Sequence, residues 1–227
     1  MAQQTGSQQE TVADALARRV EARRGVASRW AEAFRELGAV DRALYETVAR
    51  TPTAELDEPV RRLSDAANYS RLWLGIAATI ALVGGGRGRR AALEGVVAIG
   101  VTSATVNLGV KPLARRRRPD RAEPGQFPER QVPMPGSTSF PSGHAASAFA
   151  FAYAVGRHLP VLGLPIRLLA GGVAYSRVHT GVHYPGDVVL GAILGASTAA
   201  MVAVAFDRLP QPQQRPRRRP PVAARNS

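Results

Sequence analysis

Residues 188–206 run for 19 positions without a charged side chain. A stretch of that kind has two stable solutions: burial inside other protein, or a helix in lipid, where ~20 apolar residues cross the hydrocarbon layer. Four further charge-poor segments precede it, at 72–86, 95–110, 144–156 and 159–176, the last interrupted by Arg167. Each is shorter than a full span and rich in Ala, Gly and Val. Alone, each suits a buried helix of a compact soluble bundle as well as a membrane helix. Five in succession, separated by Arg clusters and Gly/Pro loops, favour the membrane. The expected fold class is all-α: a membrane-embedded helical bundle of about five apolar helices. Gly191 and Gly195 form a small-xxx-small pair that lets the last helix approach a neighbour closely. Trp73, beside Arg71, reads as an interfacial anchor.

The two ends have a different texture. Residues 1–55 read as an amphipathic helical region with narrow apolar stripes: Val12, Leu16 and Val20; Trp30, Phe34 and Leu37; Val40, Leu44 and Val48. Gly25 and Gly38 punctuate it, which suggests a pair of helices, either packed on the main domain or lying in a membrane interface. Pro52 and Pro59 bracket what reads as a polar linker. The domain proper is expected over 56–206. Residues 207–227 are rich in Pro, Gln and Arg and are expected to be a disordered basic tail. The first ten residues are polar and lack the apolar core of a secretion signal, so no cleaved leader is expected.

A mean hydropathy of −0.12 is an average over these unlike parts. So is the net charge of +13, which at first suggests a nucleic-acid binder. Residues 1–70 carry 10 Arg against 11 acidic groups, so the whole excess belongs to 71–227. Cysteine is absent, which removes disulfides, thiolate metal sites and cysteine nucleophiles. Of the 30 basic residues one alone, Lys111, is a lysine.

That lysine opens the first of three stretches that carry chemistry, each at the end of an apolar segment. Lys111 is followed seven and eight residues later by Arg118 and Pro119. Pro141, Ser142, Gly143 and His144 open the third segment. Ser176, Arg177, His183 and Asp187 lie between the fourth and fifth. Brought together, Lys111, Arg118 and Arg177 would form a cage for a dianion with several oxygens. Ser142 and Gly143, at a helix N-terminus, add a hydroxyl and backbone N–H groups. His144 and His183 are each of a type that can titrate near neutral pH, and Asp187, four residues after His183, can fix an imidazole tautomer. Arg115, Arg116 and Arg117 read as membrane-flanking charge, His158 as structural, and His179 as ambiguous and outside the set.

The three stretches, in this order and spacing, resemble the type 2 phosphatidic acid phosphatase (PAP2) and vanadium haloperoxidase superfamily. Its pattern is Lys-x6-Arg-Pro, then Pro-Ser-Gly-His, then Ser-Arg-x5-His-x3-Asp, and the likeness extends over about residues 56–206. The resemblance implies a PAP2-type helical bundle. It also implies a phosphatase in which His183 is the nucleophile, Asp187 orients it, and His144 is the general acid and then the base. Lys111, Arg118, Ser142, Gly143 and Arg177 would bind the phosphate. No metal and no other cofactor is implied, because the cations supply the electrostatic stabilisation.

The substrate follows from context. A site at the ends of apolar helices suits the phosphate of a membrane lipid, phosphatidic acid-like or polyprenyl. The alternatives are an acid phosphatase of small soluble phosphomonoesters, a vanadate-dependent haloperoxidase, and a non-catalytic basic protein binding lipid or nucleic acid. On the leading reading the partners are a lipid phosphate and the membrane, with no nucleic acid; no sequence feature sets the oligomeric state. The expected location is the cell membrane, multi-pass, with the site extracytoplasmic and Arg87, Arg89, Arg90, Arg157 and Arg167 inside.

Overall fold

The computed structural model describes residues 12–122 and 127–208, with side chains from residue 28 onward. Residues 1–11 and the basic tail at 209–227, with Arg215, Arg217, Arg218 and Arg219, lie outside the described residues, as do the side chains of Val12, Leu16 and Val20. Seven α-helices follow one another: α1 Val12–Arg50, α2 Ala54–Ala66, α3 Arg71–Val83, α4 Gly85–Ala104, α5 Gly143–His158, α6 Pro160–His179 and α7 Pro185–Asp207. Among the described residues there is no strand. The all-helical bundle expected from the apolar segments is what forms, with α3 to α7 matching the five segments.

Helix α5 is the axis. Ala145, Ala146, Ala148, Ala150, Ala152 and Ala154 are all buried, and α4, α6 and α7 pack around them. Small side chains let the surrounding backbones close in, since packing in lipid rests on close van der Waals approach. A Cβ on Gly191 would lie 2.5 Å from the Ser142 carbonyl oxygen, and one on Gly195 would strike that of Ala146. The glycine pair therefore does what its spacing predicts: it seats α7 against the start of α5.

Among the described residues, three helical stretches are long and apolar enough to cross a membrane: Gly85–Val110, which is α4 with its continuation, Pro160–His179 and Pro185–Asp207. Helix α3 has 13 residues and α5 has 16, each short of a full span.

Three expectations change. The N-terminal region is one 39-residue helix rather than a pair, with Gly25 and Gly38 inside it; a glycine costs a helix only about 1 kcal/mol relative to alanine and does not by itself end one. The supposed linker at 52–59 is largely helix: α2 begins at Ala54, and the Thr53 hydroxyl donates to Asp57 at 2.9 Å. Trp73 is no interfacial anchor. It is 1% exposed and packs on Phe151 of α5 at 5.5 Å between ring centroids.

The two ends of the bundle carry different chemistry. At one, fully buried Glu94 of α4 meets Arg157 at 2.8 Å and His158 at 2.7 Å, and Arg157 also reaches Asp207 at 2.7 Å. His158 is thus structural, as expected. The end of α4, the start of α5, the end of α6 and the start of α7 converge at the other.

Candidate active site

Each of these helix ends delivers part of the sequence pattern. Helix α4 continues as a π turn, Thr105–Val110, whose last bond runs from the Lys111 N–H to the Val106 carbonyl at 2.9 Å. The wider turn places Lys111 at the rim, where its ammonium donates to the Ser137 hydroxyl at 3.1 Å. Arg118 reaches into the same space. Its guanidinium donates to the carbonyls of Ser137 at 2.9 Å and Val182 at 2.6 Å, and its Nη1 lies 3.3 Å from Nε2 of His183. Arg177 arrives from the last turn of α6, 1% exposed, donating to the Ser64 hydroxyl of α2 at 2.6 Å. Its Nε has no partner. A buried donor without an acceptor is costly, and a phosphate oxygen would satisfy it.

Burial lowers the Lys111 ammonium from its ordinary value, and the neighbouring Arg118 charge pushes it the same way. Burial lowers Arg118 too. Cations crowded together out of water are what an anionic ligand relieves.

Ser142 is fully buried at the N-cap of α5, its hydroxyl accepting from the Ala145 N–H at 3.4 Å. A Cβ on Gly143 would lie 4.0 Å from the Lys111 ammonium, so the first turn of α5 faces the cage. His144 follows, with Nε2 2.9 Å from the side-chain oxygen of Asn68. That contact puts the proton on Nε2 and leaves Nδ1 for proton transfer. Lys111, Arg118, Arg177 and His183 all lie close enough to His144 to act on its charge.

His183 is buried in the turn between α6 and α7. Its backbone N–H bonds the Arg177 carbonyl at 3.1 Å, tying nucleophile candidate to cage. Nε2 faces Arg118, and Nδ1 lies 3.5 Å from Oδ2 of Asp187, a long contact that leaves Nδ1 without a close acceptor. Burial pushes the imidazole down to about 4, with Arg118 and Arg177 acting the same way and Asp187 opposing. His183 is therefore neutral at physiological pH.

Asp187 is fully buried and heavily engaged. Oδ2 accepts from the Ser139 hydroxyl in a short bond and from the Tyr184 N–H at 3.0 Å, closing the N-terminus of α7. Oδ1 takes Arg116 at 2.9 Å.

All eight sequence-predicted residues thus meet at one end of the bundle. Arg115 and Arg117 are exposed, but Arg116, read from the sequence as flanking charge like them, faces inward onto Asp187. His179 lies apart, 3.1 Å from Asp57. Sequence reasoning passed over Arg116, Asn68, Ser64, Ser137 and Ser139. Ser137 and Ser139 lie within five residues of the Pro-Ser-Gly-His stretch, which was a usable signal; Asn68 and Ser64 gave none. Among the described residues no group of three or more His, Cys, Asp or Glu is gathered to hold a metal ion.

Residues 91–210, more than half of the chain, match the PAP2 superfamily. The chain belongs to that superfamily. Two PAP2 relatives are mycobacterial proteins, both named decaprenylphosphoryl-5-phosphoribose phosphatase. The one from Mycobacterium tuberculosis H37Rv is 43% identical over 94 residues, 41% of this chain and 49% of that protein. The one from Mycolicibacterium smegmatis is 35% identical over 132 residues, 58% and 68% of the two. The match thus spans about half the length of the M. tuberculosis relative. The crystal structure of a transmembrane PAP2-type phosphatidylglycerolphosphate phosphatase from Bacillus subtilis shares the fold. Its TM-score is 0.60 at 24% identity, covering 78% of this chain and 89% of that one. This PAP2 chain is accordingly a membrane-embedded helical bundle.

Proposed function

We propose that the chain is a phosphatase that removes a phosphomonoester or diphosphate group from a membrane lipid through a phosphohistidine on His183, without a metal. The observation that carries this is the setting of His183: neutral, with Nε2 turned into a cage of cations and Nδ1 backed by a carboxylate. The Nε2 lone pair of His183 attacks phosphorus and the bond to the leaving oxygen breaks; His144, carrying a second proton on Nδ1 while the phosphate dianion offsets the cations around it, gives that proton to the leaving oxygen. Water then attacks the phosphohistidine while His144 takes a proton back, releasing phosphate and neutral His183. Lys111, Arg118, Arg177, Ser142 and the backbone N–H of Gly143 stabilise charge on the equatorial oxygens. Asp187 stabilises the imidazolium side of the exchange.

A pocket of about 230 Å³ opens beside His144, where the leaving group departs. Its polar lining includes Ser70, Ser103, Asn107 and Ser147. Together with the relatives' printed substrate, this favours a lipid whose phosphate sits on a hydroxyl-rich, sugar-like group. Extracytoplasmic orientation is supported by Arg87, Arg89, Arg90 and Arg157, which cluster at the bundle end away from the site.

The test is phosphate release by the detergent-solubilised chain from phosphatidic acid, a polyprenyl monophosphate, a polyprenyl diphosphate and a soluble phosphomonoester. Lipid phosphates should be preferred, activity should survive EDTA, and vanadate should inhibit as a mimic of the five-coordinate state. A strict need for a divalent ion would overturn the mechanism. Equal turnover of the soluble ester would favour a general acid phosphatase.

A further inference from the structure

The region matched to the family starts at residue 91, yet a side chain fifty residues earlier is wired to the site. Asp41 lies about three-quarters of the way along α1. Its Oδ1 accepts from the backbone N–H of Gly186 at 2.6 Å, and its Oδ2 takes Nη2 of Arg116 at 2.6 Å. The other arm of that guanidinium, Nη1, is the group that holds Asp187 at 2.9 Å. One planar fork therefore bridges two carboxylates, one on α1 and one on α7.

The surroundings are shaped for this bridge. A Cβ on Gly186 would lie 2.9 Å from the Asp41 carboxylate, so a glycine is what lets Asp41 reach the N-terminus of α7. Arg116 stacks over the Tyr184 ring at 4.3 Å, and Tyr184 meets Tyr45 of α1 edge-on at 5.5 Å. The Asp41 side chain is only 12% exposed.

We propose that Asp41 is a positioning residue for the phosphoryl-transfer site: it fixes Arg116, which fixes Asp187, which aims His183. This rests on the phosphatase reading above. An arginine side chain is long and rotamer-rich, and the Arg116 side chain is 29% exposed, so one carboxylate alone would leave it free to swing toward water. A second acceptor in the plane of the fork removes that freedom. The Nδ1 contact of His183 with Asp187 is already long at 3.5 Å. The aim of the imidazole therefore depends on how firmly Asp187 is held from its far side. On this account α1 belongs to the active site rather than being an appendage of it.

The experiment is a double-mutant cycle on the full chain in detergent, with dioctanoyl phosphatidic acid as the probe substrate. Asp41→Ala should lower kcat about 10-fold or more with KM within about threefold, because phosphate contacts are untouched. Arg116→Ala should lower kcat at least as far. The double variant should be no slower than Arg116→Ala, since both act through one chain. Asp41→Asn, which keeps an acceptor for Gly186 but loses the charge, should fall between wild type and Asp41→Ala. The nitrogen resonances of the His183 ring should shift in Asp41→Ala toward those of a free imidazole.

A kcat for Asp41→Ala within twofold of wild type would overturn the proposal. So would single effects that multiply in the double variant, or a kcat loss that merely tracks a fall in Tm. If the wild-type chain released no phosphate from any substrate, the phosphatase reading would fail. The His183 resonances would then decide the relay on their own, unchanged positions counting against it.

Discussion

Arg116 and Asp187 form the ion pair on which the geometry of the site turns: Nη1 lies 2.9 Å from Oδ1 of a carboxylate with no solvent exposure. Breaking such a pair from one side leaves a buried charge uncompensated, typically at a cost of about 3–5 kcal/mol. Arg116→Ala should therefore lower kcat by roughly 10- to 100-fold, the usual scale for losing a group that orients an active-site ligand. Arg115→Ala and Arg117→Ala, on exposed neighbours, should stay within about twofold. Steady-state phosphate release from the three variants checks this, and equal behaviour of all three would remove Arg116 from the site.

A proton donor matters only when the leaving oxygen is a poor leaving group. His144→Ala should lower hydrolysis of an alkyl phosphate by about 100-fold or more. With p-nitrophenyl phosphate, whose phenolate leaves unaided, the same variant should still phosphorylate His183 and then stall. Rapid-mixing measurements should show a burst near one equivalent of nitrophenolate followed by slow turnover. Asn68→Ala, which removes the 2.9 Å partner of His144, should show a milder form of the same defect.

The residues gathered at the candidate site and the apolar helices were legible because both patterns are local in sequence. Charge-free runs define α3 to α7, and the spacing of Lys111 to Arg118 or of His183 to Asp187 is fixed within one turn or helix end. What escaped reading was set by tertiary contact. Arg116 sits inside a run of four arginines, and nothing in the run says which one turns inward; that is decided by Asp187 and by Asp41, 75 residues away. Trp73 looks interfacial beside Arg71, but Phe151 offers it a buried ring to pack on. Asn68 reaches His144 from a turn in which Tyr69 and Ser70 adopt left-handed φ of 53° and 58°. Neither residue type announces that conformation.

Protonation of His183 couples to folding with a definite sign. The folded imidazole titrates near 4, pushed down chiefly by burial, against about 6.5 in the unfolded chain. Between those values the unfolded state binds the extra proton. The group thus costs nothing above pH 6.5 and costs the fold progressively more as pH falls to about 4, reaching about 3 kcal/mol. Thermal melts in detergent should show His183→Asn losing less Tm than wild type between pH 7 and pH 4. Parallel curves would mean that His183 is not held neutral by the fold.

The glycine pair on α7 separates stability from function. A Cβ on Gly195 strikes the Ala146 carbonyl, one helical turn further along α5 than Ser142. A Cβ on Gly191 would sit 2.5 Å from the carbonyl oxygen of Ser142, the residue proposed to cradle the phosphate with the N–H that follows it. Both substitutions overpack a helix contact, at a typical cost of about 1–3 kcal/mol. Gly195→Ala should therefore lower Tm while leaving the KM of the surviving folded enzyme within about twofold. Gly191→Ala should lower Tm comparably but also raise KM and weaken vanadate inhibition, because Ser142 must move to make room. Melting curves paired with vanadate titrations distinguish the two variants. If Gly191→Ala kept wild-type vanadate affinity while losing the same Tm, Ser142 would not be part of the phosphate cradle.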